Sequence, residues 1–257
     1  MTRQELWTAY RTIVVREVLR FSRIWVQTII PPVITTVLYF VIFGNLIGPR
    51  IGEMDGHNYM DFIVPGLIMM AIITNAYSNV VSSFYSSKYQ GNIEEMLVSP
   101  LPNWVILAGF VSGGVARGVA VGIAVTIISI FFSELQLENT FVMVTIVLLT
   151  SVLFALAGII NAIYAKSFDD ISIIPTFVLT PLTYLGGVFY SISMLSEFWQ
   201  NVSLLNPVLY MVNGFRYGIL GISDIPLTVS YSIIIAFIIL LGAFSMSLLN
   251  RGVGIRS

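Results

Sequence analysis

The chain is written in long apolar blocks separated by short polar ones. About 20 apolar residues are needed to cross the hydrocarbon core of a bilayer, and six blocks reach that length, at roughly 25–47, 62–84, 105–132, 141–164, 171–190 and 228–249. Pro175 and Pro181 interrupt the fifth. Ahead of the first block, Leu6, Trp7, Tyr10, Ile13, Val14, Val18, Phe21 and Trp25 recur at helical spacing, while Arg16, Arg20 and Arg23 share another face. That pattern predicts an amphipathic helix over residues 1–24 lying in the membrane interface. The pattern leaves open whether it is only a basic anchor or a lever packed beside the polar loop that follows the second block.

Two polar stretches carry structure of their own. Ser191 to Leu227 is too interrupted to span yet rich in Leu, Phe, Trp and Tyr, and it predicts two short helices at about 195–204 and 207–220. They break at Asn206-Pro207, because the residue before proline avoids the helical region. A re-entrant or interfacial hairpin satisfies their exposed backbone only where protein or water covers it. The second stretch, "SSKYQGNIEEMLVSPLPNW" from Ser86 to Trp104, holds a lysine, two adjacent carboxylates and two prolines between membrane-length runs. Gly91-Asn92 opens a short helix there, Ile93, Met96 and Leu97 form its apolar side, Glu94 and Glu95 its charged side, and Pro100 and Pro102 stop it. By periodicity alone it reads better as an ordinary solvated amphipathic loop with its acids on the wet face.

The expected class is an all-α polytopic membrane protein of six transmembrane helices, with residues 25–249 as its transmembrane domain and 250–257 as a short tail. Charge orients it. Arg3, Arg11, Arg16, Arg20 and Arg23 precede the first span, Lys88 follows the second, Lys166 the fourth, and Arg251 and Arg256 the sixth. The opposite side has Arg50 and Arg216. The positive-inside rule therefore makes both termini and the Ser86–Trp104 loop cytoplasmic. The five arginines spread over the first 23 residues do not fit a cleaved signal. The "AKSFDDIS" turn enters the fifth span, with Asp169 or Asp170 as its cap.

Composition agrees and then excludes. Hydrophobic residues make up 57% and charged residues 10%, against about 25% charged in soluble domains. No basic patch for nucleic acid exists, and neither a Cys cluster nor a His cluster is possible with no cysteine and His57 alone, so no metal site is expected. Lys88 and Lys166, the only lysines, follow Ser and Ala, so no GxxxxGKS or GxxxxGKT phosphate loop is present. HExxH and GxSxG are also missing, and no catalytic residue is assigned. All thirteen acids sit at or beyond the span ends, which removes the mid-membrane carboxylates expected of a proton-driven carrier. Energy must come from elsewhere, or flow is passive.

Inside the spans, Arg117 breaks the pattern near the middle of the third. A charge there costs about 2.5–3.5 kcal/mol on insertion scales, so it should face the bundle or a watery path. Backbone carbonyls, Asn75, Asn161 or a substrate are its expected partners, and a lining role and a structural one are both open. Gly114, Gly118 and Gly122 keep one face of that helix smooth, a pattern for close helix packing. Aromatic residues on the fifth span, among them Phe177 and Tyr184, could line a seam between two copies or simply pack.

The order of these features resembles the permease subunit of type-2 ABC exporters, the ABC-2 family, and within it bacterial inner-membrane permeases. The amphipathic N-terminal helix, "QGNIEEMLVSPL" after the second span, and "PLTYLGGVFYSISMLSEFWQNVSLLNPVLYMVNGFRYGILG" carry the resemblance, which runs end to end. It implies that the loop holding Gly91, Asn92, Ile93, Glu94, Glu95, Met96 and Leu97 is a coupling helix docked on a separate cytoplasmic ATPase. It also implies an outer hairpin, with Trp199, Asn206, Pro207, Tyr210 and Arg216, that closes the exit. The assembly implied is a homodimer of this chain, set among membrane lipids, with two ATPase subunits that bind Mg-ATP. The substrate class implied is lipid-linked, glycan or amphipathic and drug-like. A stand-alone channel or a membrane-embedded enzyme is the competing class, separated by whether ATPase activity appears only in a complex.

The absence of cysteine permits a direct topology test. Single cysteines at positions 92 and 203 should react with impermeant reagents from opposite sides of the membrane, and same-side labelling would overturn the span count.

Overall fold

The computed structural model describes residues 1–254; Arg256, one of the cytoplasmic charges counted above, and the end of the 250–257 tail lie outside the described residues. Helix α1 (Arg3–Arg23) starts at a reciprocal cap: Thr2 Oγ1 accepts the Glu5 N–H and Glu5 accepts the Thr2 N–H. It runs directly into α2 (Trp25–Tyr39), a widened π segment (Phe40–Ile47) and α3 (Gly48–Ile51), together one rod over Trp25–Ile51. Pro31 and Pro32 sit inside α2 and each removes a ladder donor. A two-residue hairpin, β1 (Glu53–Met54) and β2 (His57–Asn58), turns at Asp55-Gly56, both with positive φ.

The long helices α4 (Tyr59–Tyr89), α6 (Asn103–Ser129), α7 (Thr140–Tyr164) and α12 (Leu227–Arg251) fall on the second, third, fourth and sixth expected spans. With the first rod they make five helices, among the described residues, that are long and apolar enough to cross a membrane. The fifth expected span, 171–190, is not one of them. It is broken into α8 (Asp170–Ile174), a π segment (Pro175–Leu179) and α9 (Thr180–Tyr184). Pro175 and Pro181 lack the donors a regular ladder needs, and the Pro175 carbonyl accepts both the Thr180 N–H, in π register, and Thr180 Oγ1 at 2.9 Å. The short helix α5 (Asn92–Val98) follows α4, and α10 (Glu197–Ser203) and α11 (Pro207–Leu220) form the expected hairpin beyond a 3₁₀ turn (Ile192–Met194). Asn206 caps α11 by accepting the Val208 N–H. At the entry to α8 Asp169 holds the capping position without a side-chain bond, while Asp170, the other expected cap, accepts the N–H groups of Lys166 and Ser167, and Ser167 Oγ accepts the Asp170 N–H. Those donors, the Lys166 amide foremost, hold the Asp170 carboxyl below the usual carboxylate range.

Helix α4 is the central mast. Of its most apolar window 72% is buried, against 17% for the first rod and 22% for α12, which form the outer wall. Its two ends collect different partners. At the Tyr89 end, Lys88 Nζ donates to the Ile163 and Ala165 carbonyls that finish α7, Tyr85 meets Phe168 edge-on, and Asn103 at the start of α6 bonds Asn250 at the end of α12. At the Tyr59 end, Tyr59 donates to the Phe189 carbonyl, Asp61 accepts from Ser133, and Asn139 before α7 donates its N–H to Gly218 of α11. The broken 170–184 segment starts at the first end, and the residues that follow it reach the second, where Phe189 packs on Tyr39 and Phe43.

The glycine face of α6 lies on this mast. A Cβ on Gly114 would come within 2.5 Å of Val80 and 3.0 Å of the Ala76 carbonyl, and one on Gly118 would touch Ala76 and Ser151. From α7, Gly158 approaches the Tyr77 carbonyl equally closely. Ser203 is buried, so an outer labelling site is better placed at the exposed Asn201.

Gly114→Leu should therefore lower stability by about 1–3 kcal/mol through overpacking. Gly242→Ala, whose new methyl would have its nearest neighbour at 3.8 Å, should leave thermal unfolding in detergent unchanged. Equal tolerance of both would show that the α4–α6 contact is loose.

Candidate functional site

At the Tyr89 end the mast turns sharply into α5. Gly91 sits in the left-handed region at φ 78°, where a side chain would be strained, and its carbonyl accepts the N–H groups of Glu94 and Glu95. Ile93 is fully buried and pins the helix to the bundle, with Met96 and Leu97 packed partly against the same core. Asn92 reaches back to Gln90, and Ser99 Oγ closes the far end on the Met96 carbonyl. The opposite side is open. Glu95 is exposed, Glu94 is half-buried, and neither forms an ion pair among the described residues. Val98 is 87% exposed and Tyr89 72%, leaving apolar surface on both flanks of the two carboxylates.

Next to α5 the N-terminal helix departs from a simple interfacial position. The buried stripe of α1 is Ile13, Glu17 and Phe21, and it packs on α6, with Ile13 over Gly109 and Glu17 over Gly113. Tyr10 bonds Ser112 across the same contact. Glu17 is 1% exposed, accepts from Ser83 Oγ at 2.7 Å, and lies 3.4 Å from Arg16 and 3.5 Å from Arg20. Arg20 in turn donates to the carbonyl and side-chain oxygen of Asn79 on α4. Glu17, Arg20, Asn79 and Ser83 were not among the sequence-derived site residues. The available signal was the register of Glu17 with Ile13 and Phe21, which puts a carboxylate on the face meant for packing.

The remaining candidates scatter. Arg117 lies one helical turn beyond Gly113, with Arg20 as its charged neighbour and its Nε without a hydrogen-bond partner. The expected amide partners are engaged elsewhere: Asn75 donates to the Ala71 carbonyl of its own helix and Asn161 to Ile171. Phe177 is exposed on the outer wall, while Tyr184 bonds Tyr39 and stacks on Phe189. In the hairpin, Trp199 is exposed and lines an apolar hollow of about 510 Å³ with Leu182, Tyr190 and Asn206. Asn206 also donates to the Leu182 carbonyl, Pro207 opens α11, and Tyr210 is buried with its hydroxyl on Leu204. Arg216 is 1% exposed, lies 3.9 Å over the Phe62 ring and donates to the Gly187 carbonyl at 2.6 Å, which makes it a staple between α11, α4 and the loop after α9.

Among the described residues, five helices long and apolar enough to cross a membrane gather around one buried mast, the build of a polytopic membrane protein. The chain belongs to the ABC-2 type transporter family, which matches residues 8–220 and so takes in α1 through α11. It is 60% identical over 252 residues, 98% of both chains, to the inner membrane transport permease YadH of Escherichia coli K12. It is also similar, at 21% identity over 237 residues and 92% of both chains, to nodulation protein J of Rhizobium leguminosarum bv. viciae.

The Glu17 contacts give a stability prediction. Breaking a fully buried ion pair costs about 3–5 kcal/mol, and less here because both arginines reach solvent. Glu17→Ala should lower the unfolding temperature in detergent clearly, and Glu5→Ala only slightly; the reverse order would show that α1 is not held through Glu17.

Proposed function

We propose that this chain is the membrane subunit of an ATP-driven exporter, forming the translocation path and taking its energy from a separate cytoplasmic ATPase. The observation that carries the reading is α5. It is a short helix joined to the central mast by a single left-handed glycine, anchored by Ile93, and presenting free Glu94 and Glu95 between exposed apolar residues. Apolar contact gives such a surface affinity, and the carboxylates give it orientation toward basic residues of a partner. Membership of the ABC-2 type transporter family and the lack of any phosphate-binding loop in the sequence support the same division of labour.

In this reading the broken 170–184 segment and the loop after it make the fifth of six crossings, so that both termini, α1 and α5 are cytoplasmic and the α10–α11 hairpin is external. The kinship with a permease named for the inner membrane supports that location. The active unit is a homodimer of this chain with two ATPase subunits carrying Mg-ATP. Arg117, Asn75, Asn161, Phe177 and Tyr184 belong to its path, and the hairpin with Trp199, Asn206, Pro207, Tyr210 and Arg216 bounds the exit. The substrate is an amphiphile of lipid-linked, glycan or drug-like kind. The exposed apolar walls of the first rod and of the 170–184 segment suit such a molecule and also suit the second copy.

The test is charge reversal on α5. Glu94→Lys combined with Glu95→Lys should leave membrane insertion and thermal stability unchanged, while ATPase activity stimulated by the permease falls at least tenfold or the partner dissociates. Full coupled activity in that variant would sink the assignment.

A further inference from the structure

The recess between α1 and α4, beside the start of α5, is not needed for docking a partner, yet it is built from charge. Its volume is about 460 Å³, and Arg16, Arg20, Arg23, Ser83, Ser87 and Gln90 line it. Three arginines there face one carboxylate, Glu17, which is buried at the bottom and already accepts from Ser83. Arg117 adds a fourth positive charge just beyond Arg20. Arg23 forms no ion pair among the described residues, and Arg16 and Arg20 keep side-chain exposures of 39% and 33%. The recess therefore carries excess positive charge together with hydroxyl and amide donors. Its rim is apolar. Leu19 and Ile24 line it and are 48% and 41% exposed, and Trp25 and Val26 continue the exposed apolar surface along the first rod.

We propose that this recess holds the phosphate of an anionic phospholipid of the cytoplasmic leaflet, with the arginines on the phosphate and the acyl chains along Leu19, Ile24 and Val26. Phosphate is matched by forked guanidinium donors and neighbouring hydroxyls. A soluble phosphate would satisfy the donors, but it would leave the apolar rim uncovered, and only an amphiphile covers both. Guanidinium–phosphate contacts are charge-assisted hydrogen bonds made only inside the recess, so loss of two should weaken retention roughly tenfold or more. A lipid in this place ties α1 to the Tyr89 end of α4 and sits against Asn92, making the membrane's anionic content a condition on how α5 is held. The assignment rests on the cytoplasmic placement of α1, and not on ATP coupling.

The experiment uses the full chain in neutral phosphatidylcholine nanodiscs, with lipid retention read by native mass spectrometry after adding phosphatidylglycerol. Phosphatidylglycerol should be retained over phosphatidylcholine. The Arg16→Gln and Arg23→Gln double variant should lose that preference roughly tenfold, and Arg23→Gln alone, at a side chain without an ion pair, should lose part of it with unchanged thermal unfolding. Arg3→Gln with Arg11→Gln removes the same charge from outside the recess and should change nothing. Equal loss in that control would reduce the effect to general surface charge and overturn the site. Displacement of the lipid by millimolar inorganic phosphate would overturn the lipid assignment in favour of a soluble anion. Because no ATPase is present, failure here leaves the exporter reading standing, and failure of coupling leaves this one.

Discussion

Between helices surrounded by lipid there is no gain from moving an apolar side chain out of one oily environment into another, so association rests on how closely backbones approach. In this protein that approach is made by glycines against α4. Gly114 and Gly118 of α6 and Gly158 of α7 lie where a single added carbon would strike Val80, Ala76 or the Tyr77 carbonyl. Everything that gives the molecule a function hangs from the mast so held. α5 continues from its one end, the hairpin packs at its other, and the first rod and α12 clothe the sides.

The same requirement explains where irregular backbone is tolerated. The π segment at Pro175–Leu179 and the residues up to Gly187 interrupt the regular ladder, and their carbonyls find protein partners. Thr180 covers Pro175, Arg216 covers Gly187, and Asn206 covers Leu182. Arg216 does this with its guanidinium over the Phe62 ring, which makes it part of the scaffold that shapes the hairpin.

Much of this was legible in the sequence, and the reasons differ by element. The apolar blocks mark five of the six expected spans, the fourth and sixth to within two residues, because length and hydropathy alone decide a crossing. Asn206-Pro207 announces the break between α10 and α11 through backbone sterics, and the spaced glycines of α6 announce a packing face. What could not be read was which partner each polar residue finds. Asn75 and Asn161 have the depth to meet Arg117, yet each is satisfied locally or by a neighbouring carbonyl. Glu17 falls in register with Ile13 and Phe21 on the packing face of α1, but no spacing says that Ser83 and Arg20 will meet it there. Burial of α1 against α6 is a tertiary outcome, and periodicity only says that some surface will cover the stripe.

Gly91 finally has a mechanical meaning. The joint it forms is short and strained for any other residue, and the mast it joins is one helix of 31 residues with Pro65 toward its far end. Such a rod is about 46 Å long, so a tilt of about 5° imposed at one end carries the other about 4 Å. That distance is comparable to the spacing between a closed aromatic contact and an open one. The pair at stake is Tyr59 with the Phe189 carbonyl, where the mast meets the segment leading to the hairpin. Displacement from a rotation at Gly91 therefore grows along the mast, about half as large at the glycine contacts on Ala76–Val80 as where the hairpin begins.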